Sequence, residues 1–451
     1  MNEAVDATIA ALATAAESQL IYDRRNFHKH AESGWTEFRT ASLISQRLTG
    51  LGFKVLSGED VCSPEARMGL PPDDVLEAHW VRAQRESADP VFLESMRGGF
   101  TGVVGVLHHG EGPTIGLRFD MDALDLVESD DPTHRPAAEG FASIHETVCH
   151  ACGHDGHAAI GLGIASLLAQ LHDEIRGTVK LIFQPAEEGV RGARSMVAAG
   201  VVDDVDLLLG HHLVTGCAVG EIFPGMSGYA ATQKFDVTFH GAPAHAGGSP
   251  EGGKNAMLAA ANAVLNLYAL PRHRDGFTRV NVGKLIAGTG RNVIPAESTL
   301  VAEVRGETSA LCASMVERAM AIIDSSASMH GCTSSVRTMG GAGTATSDEA
   351  LAQRVQTIAS RMPDTAFHKM EKMGGSEDFT EMITRVQENG GLATNIGIGA
   401  DFFGTRYQDT ARERVLPAHT GVYDIDERAL AFATRLLTTI VFDLMNNPAV
   451  T

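Results

Sequence analysis

Gly156-His-Ala-Ala-Ile-Gly-Leu-Gly-Ile-Ala-Ser-Leu-Leu-Ala-Gln170, followed after a short turn by Thr178-Val-Lys-Leu-Ile-Phe-Gln184, is the stretch on which the fold turns. The first segment has the length and apolar content of a buried helix. The second has those of a strand covered on both faces. The alternation continues with a helical segment at 191–199 and a strand at 206–210. Upstream, 41–51 reads as a helix, while 101–107 and 113–119 are apolar runs bounded by glycines, as buried parallel strands are. Strands alternating with helices predict an α/β fold, a mostly parallel sheet with helices on both faces.

Near residue 231 the period changes. Residues 234–240, 279–285 and 299–305 alternate apolar and polar side chains, the mark of strands with one wet face. Helical stretches at 255–270 and 310–329 accompany them, which makes a small α+β domain. From 347 the α/β character returns and ends in a helix at 426–446. The expected organisation is an α/β domain built from 1–230 and 344–451, interrupted by an inserted α+β domain at 231–343. The polar segment 62–99 reads as an insertion into the first part.

Composition narrows the function. Lys and Arg number 36 against 56 Asp and Glu, a net charge of −20, which repels a phosphate backbone and argues against nucleic-acid binding. With 44% hydrophobic residues the chain has enough apolar surface to fold. The longest uncharged apolar stretch, 158–171, is short of the ~20 residues that span a bilayer. The first twenty residues carry acids before their apolar part and read as an amphipathic helix rather than a secretory signal. Six cysteines are too few for a disulfide scaffold, so the expected setting is a reducing cytosol, with any special cysteine a ligand or a reactive thiol.

Four clusters carry the chemistry. Cys149-His-Ala-Cys-Gly-His-Asp-Gly-His157 packs thiols, imidazoles and a carboxylate around glycines, as a loop wrapping a transition metal does. Cys152 and His154 are spaced to face one metal, and His157 sits on the first turn of the next helix. Phe183-Gln-Pro-Ala-Glu-Glu-Gly189 follows a buried strand, where α/β proteins place their sites. Its adjacent carboxylates cannot point the same way, so one can bind metal while the other acts as a base. His211-His212 follows the apolar run 207–209, and His419-Thr-Gly-Val-Tyr-Asp precedes the last helix. Each cluster alone has a bland reading: a glycine turn, an acidic helix start, a structural histidine. Together they supply donors enough for two neighbouring metals.

In consistent order from Arg24 to Asp426, the segments RRNFHKHAESGWTEFRT, RFDMDALD, CHACGHDGHAAIGLG, LIFQPAEEG, AHAGGSPEGGKNA, GRNVIPAE, GGSEDF and HTGVYDIDE resemble the two-domain dinuclear metallo-amidohydrolases, the group of the hippurate and auxin-conjugate hydrolases. The resemblance implies an aminopeptidase-type catalytic domain with a lid that dimerises. It implies two divalent ions, Zn²⁺ or Mn²⁺, held by Cys152, His154, Glu188, His212 and His419, with Glu187 as catalytic base. Asp120-Met-Asp122 stands where the wider clan has His-x-Asp, so Asp122 is expected to orient a ligand from behind. His245 corresponds to a histidine that reaches the neighbouring subunit's site. Asn292 and Arg305 resemble substrate-carboxylate contacts, with Arg291 the alternative cation for a glutamate-like tail. The implied partners are an N-acyl amino acid substrate and a second protomer, either a copy of this chain or a paralogue.

Two enzyme alternatives fit less. His30-Ala-Glu32 with Cys149-His-Ala-Cys152 mimics a nucleobase deaminase signature, but Val148 stands where proline belongs and Glu187 and His419 are left without work. A thioredoxin-like redox pair leaves the same residues unexplained. A non-catalytic paralogue serving as a binding or regulatory subunit is the remaining rival; the presence of all five ligands and Glu187 argues against it.

Overall fold

The computed structural model describes residues 3–369, 375–402 and 416–448. Its strands, in chain order, are Lys54–Ser57 (β1), Val103–His109 (β2), Thr114–Asp120 (β3), Gly177–Gln184 (β4), Leu207–Ala218 (β5), Glu221–Phe223 (β6), Ala231–His240 (β7), Thr278–Ala287 (β8), Glu297–Gly306 (β9), Thr333–Ala342 (β10), Ala366–Phe367 (β11) and Leu392–Asp401 (β12). They form two sheets. The larger has the order β1-β2-β4-β3-β5-β12-β6-β11 and the smaller the order β10-β7-β9-β8.

The centre of the larger sheet, β4-β3-β5-β12, is parallel throughout. Its residues alternate between two helical layers, as a strand period of two requires. Leu181, Phe183, Leu207 and Leu209 face the helices Glu3–Lys29, His154–Gln170 and Arg428–Asn446. Ile182 and Leu208 face the opposite layer with Met196, Phe379 and Met382, from the helices Ala193–Ala198 and Phe379–Glu388. The helix His154–Gln170 lies close on the sheet because Gly161 has no side chain: a Cβ there would meet the Phe183 ring at 2.6 Å. The helix Arg428–Asn446 is long and apolar enough to cross a membrane, yet 78% of its apolar window is buried inside the fold, where it serves as a core helix.

The segment read as a parallel strand at 101–107 differs from expectation. It is β2, and it runs antiparallel to β4. Only residues 110–113 join it to β3, too few for the crossover that a parallel arrangement needs, so the chain reverses. The strand expected at 206–210 is also longer than its apolar run suggests. β5 continues to Ala218, so His211 and His212 lie within it and point to opposite faces. The insertion at 62–99 is ordered, with helices Asp73–Arg85 and Pro90–Met96 that bury Leu76, Ala83, Leu93 and Met96.

The smaller sheet is antiparallel and carries the helices Ala256–Tyr268 and Ser309–Met329 on one face. Phe235, Val237 and Phe239 of β7 and Leu300, Ala302 and Val304 of β9 face those helices. The fourth strand, β10, was not evident from the sequence; residues 333–338 lack apolar alternation because five of those six are exposed. The helix-free face of this sheet is turned toward the larger one. There Gly341 N–H donates to the Val190 carbonyl at 2.8 Å, and Arg337 donates to the Leu70 carbonyl at 2.8 Å.

A buried ionic network fixes the N-terminal helix beneath the loop that opens the helix His154–Gln170. Arg24, fully enclosed, reaches Asp155 (2.9 Å), Asp424 (2.8 Å) and Glu427 (3.2 Å), and Arg135 shares the last two. Removing one cation leaves buried carboxylates uncompensated. Arg24→Met should therefore destabilise the protein by about 3–5 kcal/mol, read as a lowered midpoint in chemical denaturation.

His28 sits in the same network, with Nδ1 on Asp155 and Nε2 on Glu128, each at 2.8 Å. Burial alone would depress its pKa, but those two hydrogen bonds outweigh burial and hold it at about 9. The ordinary histidine value lies near 6.5, so the stabilisation is complete below about pH 6.5 and is lost as pH rises through about 9. Wild type should lose stability over that window by ~3 kcal/mol more than His28→Gln, measured by denaturation at each pH.

Candidate active site

The site lies where loops at the carboxyl ends of the parallel strands meet the helix-free face of the smaller sheet. Gly153 opens it. This residue has φ +94°, a left-handed conformation natural to glycine, and it turns the chain so that Cys152 precedes, and His154 begins, the helix His154–Gln170. A Cβ at Gly153 would press on the Tyr423 hydroxyl at 2.9 Å.

Asp122, just beyond β3, organises the centre. Its two carboxylate oxygens accept the backbone N–H groups of Glu187 and Glu188, each at 3.0 Å. The loop after β4 is thereby held with Ala186 and Val190 at positive φ. His154 Nδ1 donates to the Asp122 carbonyl at 2.8 Å, which leaves Nε2 with its lone pair toward the cavity. His212 Nδ1 donates to the Leu213 carbonyl at 2.8 Å, with the same consequence for its Nε2.

The donor atoms converge. Cys152 Sγ lies 3.6 Å from His212 Nε2, and His419 Nε2 lies 3.5 Å from Glu188 Oε1. His154 Nε2 is 3.9 Å from Glu187 Oε2. Three overlapping groups, Cys152 with His154 and His212, Cys152 with Glu188 and His419, and His154 with Glu187 and Glu188, each have their donor atoms within 4.8 Å of one another. Cys152, Glu187, Glu188, His212 and His419 line one cavity of about 260 Å³.

His157 and His211 are adjacent to this centre but outside it. His157 Nδ1 donates to Asp120 at 2.5 Å and its Nε2 accepts from Leu213 N–H at 2.9 Å, so both ring nitrogens are engaged. Asp120 is also paired with buried Arg118. Burial would raise the Asp120 carboxyl, but Arg118, His154 and His157 hold it well below the usual range. His211 lies against the Phe119 ring at 5.3 Å, and the His157 ring sits 4.8 Å from both His211 and His212.

The donor set fits divalent cations. His154 Nε2 and Glu188 Oε1 are buried without a hydrogen-bond partner among the described residues. Burial and then Glu377 and Glu188 push the Glu187 carboxyl well above its usual range. Burial, opposed by His154 and reinforced by Asp122 and Asp120, raises Glu188 to about 7. Burial and Glu188 also push the Cys152 thiol up. So much anionic chemistry in one enclosure cannot ionise without positive charge, which divalent cations supply. Thiolate, imidazole and carboxylate are together a transition-metal donor set.

The remaining expected residues divide. Arg305, on β9, lines the cavity and is paired with Glu303 at 3.1 Å. His245, Arg291 and Asn292 do not line it; they are exposed on loops of the smaller sheet's domain. They lie near one another, since residue 245 bridges residue 293 and Ala246 N–H donates to the Asn292 carbonyl. His245 Nδ1 accepts from Gly247 and Gly248 N–H. Arg291 is therefore not among the cations that line the cavity in the single chain, whereas Arg305 is. Lys234, Tyr229 and Glu377 also line the cavity and were not expected there. Glu377 belongs to the GGSEDF motif, whose first residue, Gly374, lies outside the described residues. Lys234 gave a weaker signal, a polar position in an alternating strand.

These features define a class. The chain belongs to peptidase family M20/M25/M40, whose model matches residues 116–421, and it is a metal-dependent amidohydrolase of that family. It is 44% identical over 417 residues to the indole-3-acetyl-aspartic acid hydrolase of Enterobacter agglomerans, covering 92% of this chain and 93% of that protein. It is 43% identical over 422 residues to one of the subunits of the p-aminobenzoyl-glutamate hydrolase of Escherichia coli, covering 93% and 94%. Among solved structures, an aminobenzoyl-glutamate utilization protein from Klebsiella pneumoniae superposes with a TM-score of 0.82 at 39% identity, covering 96% of this chain and 98% of that one.

Because one carboxylate fixes both Glu187 and Glu188, Asp122→Asn should lower metal occupancy or kcat/KM by about 10- to 100-fold. Metal analysis of the purified protein and steady-state kinetics check it; wild-type values in both would deny Asp122 this part.

Proposed function

We propose that this chain hydrolyses the amide bond of N-acyl amino acids whose released amino acid is acidic, with p-aminobenzoyl-glutamate, split to p-aminobenzoate and glutamate, as the leading substrate. The observation that carries the reading is the convergence of Cys152, His154, Glu188, His212 and His419 beside Glu187, all but His154 lining a cavity that also holds Arg305. The names of the two relatives support the substrate class, since each denotes an aromatic acyl group joined to aspartate or glutamate.

In this reading the five donors hold two divalent cations. Thiolate and imidazole favour Zn²⁺, and the carboxylate and imidazoles suit Mn²⁺ as well. When bound, such ions polarise a carbonyl and lower the pKa of water toward neutrality. Glu187 takes the proton of the attacking water and hands it to the departing nitrogen. The C–N bond breaks as the C–O bond forms, leaving a carboxylic acid and an amine. Arg305, with its planar fork of donors, holds the substrate's α-carboxylate in a bidentate pair.

A second protomer completes the proposal. Leu265 and Tyr268 of the helix Ala256–Tyr268, with Leu285 and Ile286 of the edge strand β8, are exposed apolar side chains on one domain. They suit a lid-to-lid dimer, from which His245 and Asn292 would reach the neighbour's site, His245 as a donor to the developing oxyanion. The partner is a copy of this chain or, as the name of the Escherichia coli relative suggests, a paralogous protein. All six cysteines are unpaired, which suits the cytosol as the working compartment.

The test is turnover of p-aminobenzoyl-glutamate, hippurate and N-acetyl amino acids with added Zn²⁺ or Mn²⁺. Cleavage of p-aminobenzoyl-glutamate is expected. Cleavage of only the other two would replace the substrate while keeping the reaction, and binding without turnover would favour a regulatory role. Glu187→Ala should lower kcat by at least ~10²-fold while metal content stays at the wild-type level.

A further inference from the structure

We propose that Lys234 is the specificity-determining residue that reads the second carboxylate of the substrate, the side-chain carboxylate of the released aspartate or glutamate. The inference rests on the amidohydrolase reading above and deepens it.

In β7, Phe235, Val237 and Phe239 are buried beneath the two helices, so Lys234 lies on the opposite, helix-free face. On that face it lines the catalytic cavity together with Glu187, Glu188 and Arg305. Across the ladder Lys234 stands opposite Glu303, and Thr232 opposite Arg305. Glu303 is nonetheless taken by Arg305, through Nε and Nη2 at 3.1 Å each. Lys234 itself has no hydrogen-bond or ion-pair partner among the described residues. It is a half-buried ammonium, withdrawn from water and facing the reaction space without an anion of its own.

An acidic N-acyl amino acid brings two carboxylates into this space. One guanidinium, already shared with Glu303, cannot balance both beside Glu187, Glu188 and Glu377. Two cations on neighbouring strands can, with the flat fork of Arg305 on the α-carboxylate and the point charge of Lys234 on the side chain. A neutral side chain would leave the ammonium desolvated and unpaired, which selects against it.

The experiment compares kcat/KM for p-aminobenzoyl-glutamate and p-aminobenzoyl-glutamine, which differ only in that carboxylate. Wild type should prefer the glutamate conjugate by about 10- to 100-fold, the equivalent of one charged hydrogen bond. Lys234→Met should bring the ratio near one, and Lys234→Arg should restore most of it. If Lys234→Met does not fold, judged by its melting temperature and metal content, Lys234→Gln makes the same comparison. An active wild type without preference, or a Lys234→Met variant that slows both substrates equally and keeps the ratio, overturns the assignment to Lys234 alone. A metal-loaded wild type that cleaves neither conjugate, nor any other N-acyl amino acid, overturns the amidohydrolase reading and takes this inference with it.

Discussion

The Asp122 carboxylate receives two backbone N–H groups from the loop of Glu187 and Glu188, while its own carbonyl receives the His154 ring. That one residue ties together the end of β3, the loop after β4 and the start of the helix His154–Gln170. These are segments that the parallel sheet brings close but does not by itself aim. The two bonds to the carboxylate are of the stronger, charge-assisted kind, and the one to the backbone carbonyl sets which nitrogen of His154 is free. Every further donor depends on that setting. His212 must emerge on the cavity side of β5, and it does so because β5 continues past His211 with a period of two.

Around Asp122 the fold places charge in pairs. Arg118 and His157 hold Asp120, and Arg24 and Arg135 hold Asp155, Asp424 and Glu427. Each pair is buried and satisfied. The catalytic cavity differs: burial first, and neighbouring carboxylates after it, push Glu187, Glu188 and Cys152 toward neutrality. The contrast separates scaffold from chemistry: matched ions hold the frame rigid, and the unmatched donors mark where added cations belong.

Much of this was legible from the residues alone. Helices and strands with a clear period announced themselves, and the change of period near 231 marked the second sheet. Dense local clusters, such as Cys152 with His154 and Glu187 with Glu188, signalled ligands because their spacing is short. What stayed hidden lacked a local signal. The direction of β2 depends on the brevity of residues 110–113, and β10 carries no alternation over 333–338 because that half of the strand faces solvent. Lys234 looked like any polar residue on an alternating strand, since its meaning comes only from the sheet it faces. His245 and Asn292 were named by resemblance and Arg291 as an alternative cation, but in this chain all three sit on an exposed surface away from the cavity.

The division of labour follows from this geometry. The expected metal donors and base sit on β5, at the start of the helix His154–Gln170 and on loops of the larger sheet, where hydrogen bonds to Asp122 and Leu213 hold several of them in place. The two cations that line the cavity, Lys234 and Arg305, come from the smaller sheet, on strands whose helix-free side can change one residue without disturbing the buried face opposite. A chain with a net charge of −20 repels a dianionic ligand over most of its surface. Lys234 and Arg305, lining the cavity from the smaller sheet, give an anion a locally favourable field there.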